Sequence, residues 1–164
     1  MKTNNLRFCL FLLLFASLLF CGCGRTKPVQ VYTGSEKSIS ETVLLKCDYW
    51  TMLGDSQGTE VRKIWDSNDK LIWEGCSRLL VLMPGTYNLE VCYNFQSIGG
   101  GGAIGGASNQ AAYENTKTLI KNNFEAGKQY LLKGKKTGLC VWDWKAIYWI
   151  EDLQTGQLVY GTRP

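Results

Sequence analysis

The chain of 164 residues contains no histidine. That absence excludes Ser-His-Asp and Cys-His catalysis, in which an imidazole takes up and returns the proton. It also removes a common zinc ligand, and the cysteines in the body of the chain, Cys47, Cys76, Cys92 and Cys140, include no C-x-x-C pair. A zinc site is therefore not expected, nor is any other metal or cofactor. No Gly-Lys-Ser/Thr follows the glycine-rich stretch, which rules out a P-loop. Dense basic runs are missing too. Lys133, Lys135 and Lys136 around Gly134 read as a solvated turn between strands, and a formal charge of +4 is too balanced to argue for nucleic acid. The one long apolar run, Phe8 to Phe20, is only 13 residues. A bilayer core of about 30 Å needs about 20.

That run does fit a secretory signal. Lys2 and Arg7 supply the basic start, the apolar stretch follows, and Cys21-Gly22-Cys23-Gly24 closes it with small residues. Phe20-Cys21-Gly22-Cys23 resembles the lipobox of bacterial lipoproteins, whose peptidase cuts before a cysteine already carrying a diacylglyceryl group. The resemblance implies lipidation at Cys23, since Cys21 would place bulky Phe20 next to the cut. The expected divisions are then a cleaved signal over 1–22, a lipidated tether over 23–27 and a single domain over 28–164. Loss of Lys2 and Arg7 lowers the formal charge to +2. Gly24 stands where an Asp would signal inner-membrane retention under the enterobacterial rule. The resemblance therefore implies a bacterial envelope protein on the outer membrane, facing the periplasm.

Four cysteines remain in an exported domain: Cys47, Cys76, Cys92 and Cys140. An even number in an oxidising compartment predicts two disulfides, with three possible connectivities.

Short alternating segments separated by turn residues run through the domain. Pro28 to Tyr32, Thr42 to Cys47, Glu60 to Asp66 and Lys70 to Glu74 read as strands, with Ser67-Asn68-Asp69 as a hairpin turn and Gly54 to Gly58 as a polar turn. Pro84-Gly85 predicts a tight hairpin between Leu79–Leu82 and Tyr87–Tyr93, with Tyr87, Leu89, Val91 and Tyr93 on the core face. In that register Cys76 faces inward and Cys92 outward. Residues 108–122 are ambiguous between helix and strand. Gln129–Lys133, Cys140–Trp144, Ala146–Glu151 and Gln157–Tyr160 complete about eight to nine strands. The fold class that follows is all-β, an antiparallel β-sandwich with a glycine-rich loop at 99–106.

Chemistry is scarcer. Gly100, Gly102 and Gly105 form a literal G-x-G-x-x-G, but almost any window of so glycine-rich a stretch matches, and the surroundings lack strand-helix alternation. Asp48, Asp55, Glu60 and Asp66 could supply a carboxylate pair, although their spacing does not bring two together. No catalytic residue is nominated, and a non-enzymatic module is expected. Six tryptophans are the richest remaining signal: Trp50, Trp65, Trp73, Trp142, Trp144 and Trp149. Most belong in a core, where each buries on the order of 200 Å². Trp50, Trp73 and Trp144 are the ones that could line a ligand surface, with Trp50 the most exposed.

The stretch Val61 to Phe95 resembles the PEGA-type β-sandwich repeats of bacterial envelope proteins through Leu82, Pro84, Gly85, Tyr87, Leu89 and Val91. It departs from them in having Asp66-Ser67-Asn68-Asp69 in place of an Asp-Gly turn, and in lacking the Pro-Glu-Gly-Ala signature. Val29–Gly34, the Pro-Gly segment, Glu125–Tyr130 and Asp152–Gly156 are together similar to small bacterial lipoproteins of uncharacterised function. Both resemblances imply an envelope β-domain and transfer no active site. The expected function is a lipid-anchored binding or structural module with an envelope protein or glycan as partner. The alternative is a carbohydrate-binding module that contacts peptidoglycan or another glycan through Trp and Tyr.

Overall fold

A computed structural model describes residues 27–52, 55–96, 113–139 and 143–164. Their strands are β1 (Val29–Gln30), β2 (Val43–Cys47), β3 (Tyr49–Met52), β4 (Asp55–Trp65), β5 (Leu71–Ser77) and β6 (Leu79–Leu82). There follow β7 (Gly85–Gln96), β8 (Thr118–Phe124), β9 (Gln129–Thr137), β10 (Lys145–Asp152) and β11 (Leu158–Tyr160). Two sheets result. One has the order β1-β6-β2-β9-β10-β11; the other runs β3-β4-β7-β8, with β5 also paired to β4. The fold is all-β, two sheets with mainly antiparallel pairing. The parallel pairs β1–β6 and β2–β9 make the larger sheet mixed.

Alternation decides which side chains fill the space between the sheets. From β2, β6 and β9 come Val43, Leu45, Leu80, Leu82 and Leu132; from β4, β7 and β8 come Val61, Ile64, Leu89, Val91 and Ile120. All ten are fully buried. Burial of each such side chain contributes about 1.5–3 kcal/mol relative to exposure, enough in sum to hold both sheets. Thr59 ties the layers by a polar route. Its Oγ1 lies 3.0 Å from the Leu132 carbonyl of the other sheet and 3.1 Å from that of Asp48.

The Pro84-Gly85 segment corrects the expected hairpin. Gly85 does take positive φ (+147°), but β6 pairs with β1 and β2, whereas β7 pairs with β4 and β8. The turn carries the chain from one sheet to the other, and the Tyr87 hydroxyl braces it by donating to the Met83 carbonyl at 3.0 Å. Leu80 and Leu82 therefore face Leu89 and Val91 across the core instead of lying beside them. The chain changes sheets twice more without a loop, at Asp48 between β2 and β3 and at Arg78 between β5 and β6. These two crossings are adjacent, because the Cys47 amide donates to the Arg78 carbonyl at 2.8 Å.

Other expectations divide. Asp66 Oδ1 accepts from the amides of Asn68 (2.9 Å) and Lys70 (3.0 Å), and Asp69 takes φ +59°, so the β4–β5 hairpin turns as its residues predict. Lys133, Gly134, Lys135 and Lys136 are not a turn; they continue β9 opposite Ala146–Trp149 of β10, so their alternating exposure comes from a strand. Gly58 belongs to β4 and not to a turn. The ambiguous segment is both things in sequence, helical at 113–116 and then β8 from Thr118. Asp143 and Trp144 precede β10 without being strand, while Cys140 and Trp142 lie outside the described residues. So do Cys23 and the Gly100, Gly102 and Gly105 motif.

Candidate functional site

The densest polar cluster sits on the outer face of the smaller sheet. Thr59 and Val61 point to the core, so Glu60 between them points away, and on β7 the same alternation turns Cys92 and Asn94 outward. Glu60 is nonetheless completely buried. Its Oε1 accepts from Arg78 Nε at 2.9 Å and Nη2 at 2.8 Å, and its Oε2 from Asn94 Nδ2 at 2.8 Å and Cys76 Sγ at 2.8 Å. The Arg78 guanidinium lies 3.2 Å over the ring of Tyr49. Four donor contacts to one carboxylate are what a buried charge requires, since an unpaired one costs several kcal/mol.

Beside it, Arg62 lies against the ring of Tyr113 at 5.2 Å, and the Tyr113 hydroxyl donates to Glu90 Oε1 at 2.6 Å. The Nε of Arg62 is buried without a hydrogen-bond partner among the described residues. The whole group faces itself. Glu60 has both oxygens committed and Asp66 serves its turn, so neither is poised to move a proton. Asp48 is exposed at its crossing, and the Asp55 side chain lies outside the described residues.

The cysteines require a correction. Cys47, Cys76 and Cys92 are free thiols, so the two expected disulfides are not formed; Cys140 lies outside the described residues. The reason is placement. Cys76 on β5 and Cys92 on β7 flank β4 on opposite sides, two strand spacings or about 9.6 Å apart. A disulfide needs Cα atoms within about 7 Å. Cys76 also faces outward toward Glu60 and not inward as the hairpin register implied, whereas Cys92 faces outward as expected. Burial pushes the Cys47 thiol up to about 12 and the Cys92 thiol up to about 11. Burial, and then the Glu60 carboxylate, push Cys76 up to about 12. All three are thereby held as unreactive thiols, because the thiolate is the nucleophile.

The tryptophans do not form a row. Trp50 on β3 is exposed (45%), as its sequence context suggests, and its indole lies beside the Tyr93 side chain. Trp144 is buried edge-on against Tyr93, ring centroids 6.1 Å apart, with Lys136 Nζ 4.0 Å over its face. Trp73 folds back over Gly75 and packs against the core. Trp50 and Trp144 thus meet through Tyr93. Trp73 stands near the Ile64 end of β4, remote from both.

A second feature lies on the opposite side of the molecule, and the residue signals above did not point to it. A groove of about 460 Å³ runs over the outer face of the larger sheet, lined by Lys27, Pro28, Lys37, Ile39, Leu44 and Val81 among others. Leu44 and Val81 are direct neighbours in the β2–β6 register, both on the outward side. Ile39 at the rim is 74% exposed.

Among the described residues no helix is long and apolar enough to cross a membrane, and no group of three or more Cys, Asp or Glu is arranged to hold a metal ion. No family model, curated protein or solved structure matches the chain.

Proposed function

We propose that this chain is a lipid-anchored lipoprotein of the bacterial cell envelope, held by acyl chains on Cys23 at the outer membrane and facing the periplasm as a binding or structural module. One observation carries the reading: among the described residues the first strand begins at Val29, six residues after Cys23. Cleavage before Cys23 therefore removes the signal-like segment and keeps every described strand, with a short polar lead into the sandwich. One acyl chain gives reversible attachment and two hold stably, so the chains implied by the lipobox keep the domain at the surface. Three unreactive thiols are compatible with life in an oxidising compartment. The likeness of Leu82–Val91 to envelope repeats supports the same placement.

Mass spectrometry of the mature N-terminus tests the anchor. A diacylglyceryl-modified Cys23 is expected; an unmodified Cys23 or cleavage elsewhere overturns the reading. Crosslinking in cells, followed by identification of the attached species, tests for an envelope protein partner. Among the described residues the glycan alternative keeps one well-exposed indole, Trp50, with Tyr93 and Trp144 behind it. A shift in tryptophan fluorescence on adding peptidoglycan fragments, lost in Trp50→Ala, would favour it.

A further inference from the structure

The anchor reading fixes one end of the chain at a bilayer, and the fold determines which face is near it. Lys27 lines the groove on the outer face of the larger sheet. It is four residues from Cys23, and a fully extended chain spans at most about 3.3–3.6 Å per residue, or roughly 14 Å. That reach is close to the Debye length of about 10 Å at 0.1 M salt, so charges around the groove feel the lipid surface.

The charges there are mainly of one sign. Lys46 from β2 and Lys133 and Lys135 from β9 project from the outer side of this sheet, since their neighbours Leu45, Cys47 and Leu132 point into the core. Lys27 and Lys37 line the groove, and with the exception of half-buried Lys133 these five lysines are exposed. Against them stand Glu36 in the groove lining and Glu151 on β10. Glu151 is already held by Lys133 at 3.0 Å and Arg163 at 2.7 Å. Apolar side chains lie between the lysines: Ile39, Leu44, Val81 and the half-exposed Ile147. Trp149 adds an indole on the same side. The opposite face is more balanced, with Arg78–Glu60, Lys63–Glu74 and Lys117–Glu114 as pairs.

We propose that the outer face of the larger sheet is a membrane-docking surface for anionic phospholipid headgroups, with Ile39 and Ile147 entering the interface between the lysines. This rests on the Cys23 anchor and adds an orientation to it. Lysines interleaved with apolar and indole side chains are the composition that binds an anionic interface. Such docking would lay the sandwich flat on the membrane, with the Glu60 face turned toward the periplasm.

The test uses the full lipidated protein in vesicles of phosphatidylethanolamine and phosphatidylglycerol, with lysine acylation read by mass spectrometry against the same protein in neutral detergent. Lys27, Lys37, Lys46, Lys133 and Lys135 are expected to react about fivefold or more slowly on vesicles. Lys63, Lys70 and Lys121, from the other sheet and its turn, should keep their rates. Co-flotation with vesicles but uniform acylation of both sets overturns the docking face and leaves the anchor standing. Failure to co-float overturns both. Equal protection on pure phosphatidylcholine overturns the anionic assignment. A Lys46→Glu, Lys135→Glu double variant, altered only at exposed positions, should co-float yet lose protection at Lys27, Lys37 and Lys133; unchanged protection overturns the proposal.

Discussion

Glu60 shows how one residue can hold an element junction together. Its carboxylate receives Arg78 at the point where β5 gives way to β6, and Arg78 in turn covers Tyr49 where β3 begins. Glu60→Gln would leave the Arg78 charge without its counter-ion in a mostly desolvated position. A loss of about 3 kcal/mol is expected, read as a lower urea midpoint. The same substitution removes the acceptor that suppresses Cys76. In the native protein Cys76 should alkylate at pH 8 at least about a hundredfold more slowly than a free cysteine, and Glu60→Gln should accelerate it. Rapid native labelling, or a disulfide in a non-reducing peptide map, would contradict the structure. The thiol positions also mark the limit of what the sequence makes legible. Residue parity places Cys92 outward correctly, but the even cysteine count suggests bridges only because sequence carries no information on lateral distance between strands.

At the scale of elements, the larger part of the strand set is readable from alternation and turn chemistry, as in the Asp66–Lys70 turn and the core face of β7. What alternation encodes is the face of a strand, not its neighbour. Leu80 facing Leu89 satisfies the pattern equally well beside it in a hairpin or across the sandwich, which is why Pro84-Gly85 reads as a hairpin and is a crossing. The docking groove was invisible for a related reason: Leu44, Val81 and Lys27 come together only through the β1–β6–β2 pairing order. Where β3 and β5 share one edge of β4, backbone closeness becomes the constraint. A Cβ on Gly58 (φ +156°) would lie 2.3 Å from the Asp48 carbonyl oxygen and 2.6 Å from Tyr49 Cα. Neither backbone atom can move without opening the crossing. Gly34 (φ +107°) has nothing within 4 Å of the same position. Gly34→Ala should cost about 1–2 kcal/mol, the penalty of positive φ alone. Gly58→Ala should cost clearly more, and equal thermal midpoints for the two variants would refute the argument.

For the whole molecule, the sheet order makes folding a long-range problem. β2 pairs with β9, more than eighty residues later in the chain, and four crossings between sheets prevent either sheet from forming independently. A single cooperative transition with relaxation in milliseconds to seconds is expected. Unfolding followed by near- and far-UV circular dichroism should coincide; separate midpoints would mean that the sheets unfold separately. Stability should also fall on the alkaline side. The Cys47 thiol is raised from the ordinary 9.0 to about 12 in the native state, so above pH 9 the unfolded chain loses a proton that the folded chain retains. The contribution is complete below pH 9 and disappears as pH climbs toward 12. A urea midpoint that declines through this window, and declines less in Cys47→Ala, is the expected result.

The two-residue β1 would give a chain tethered at Cys23, as proposed above, a mechanical property. It lies at the sheet edge, held to β6 by the Val29–Leu80 and Gln30–Val81 pairings and the Val31 amide on the Val81 carbonyl. β2, by contrast, is clamped between β6 and β9. Under the anchoring proposed above, a pull on the N-terminal lead would load β1 first and peel it away, with the core closed behind β2. Release of β1 would free the twenty residues of 23–42, a contour of about 70 Å when extended. The edge strand would then act as a release catch, letting a domain tethered at Cys23 extend before it has to unfold.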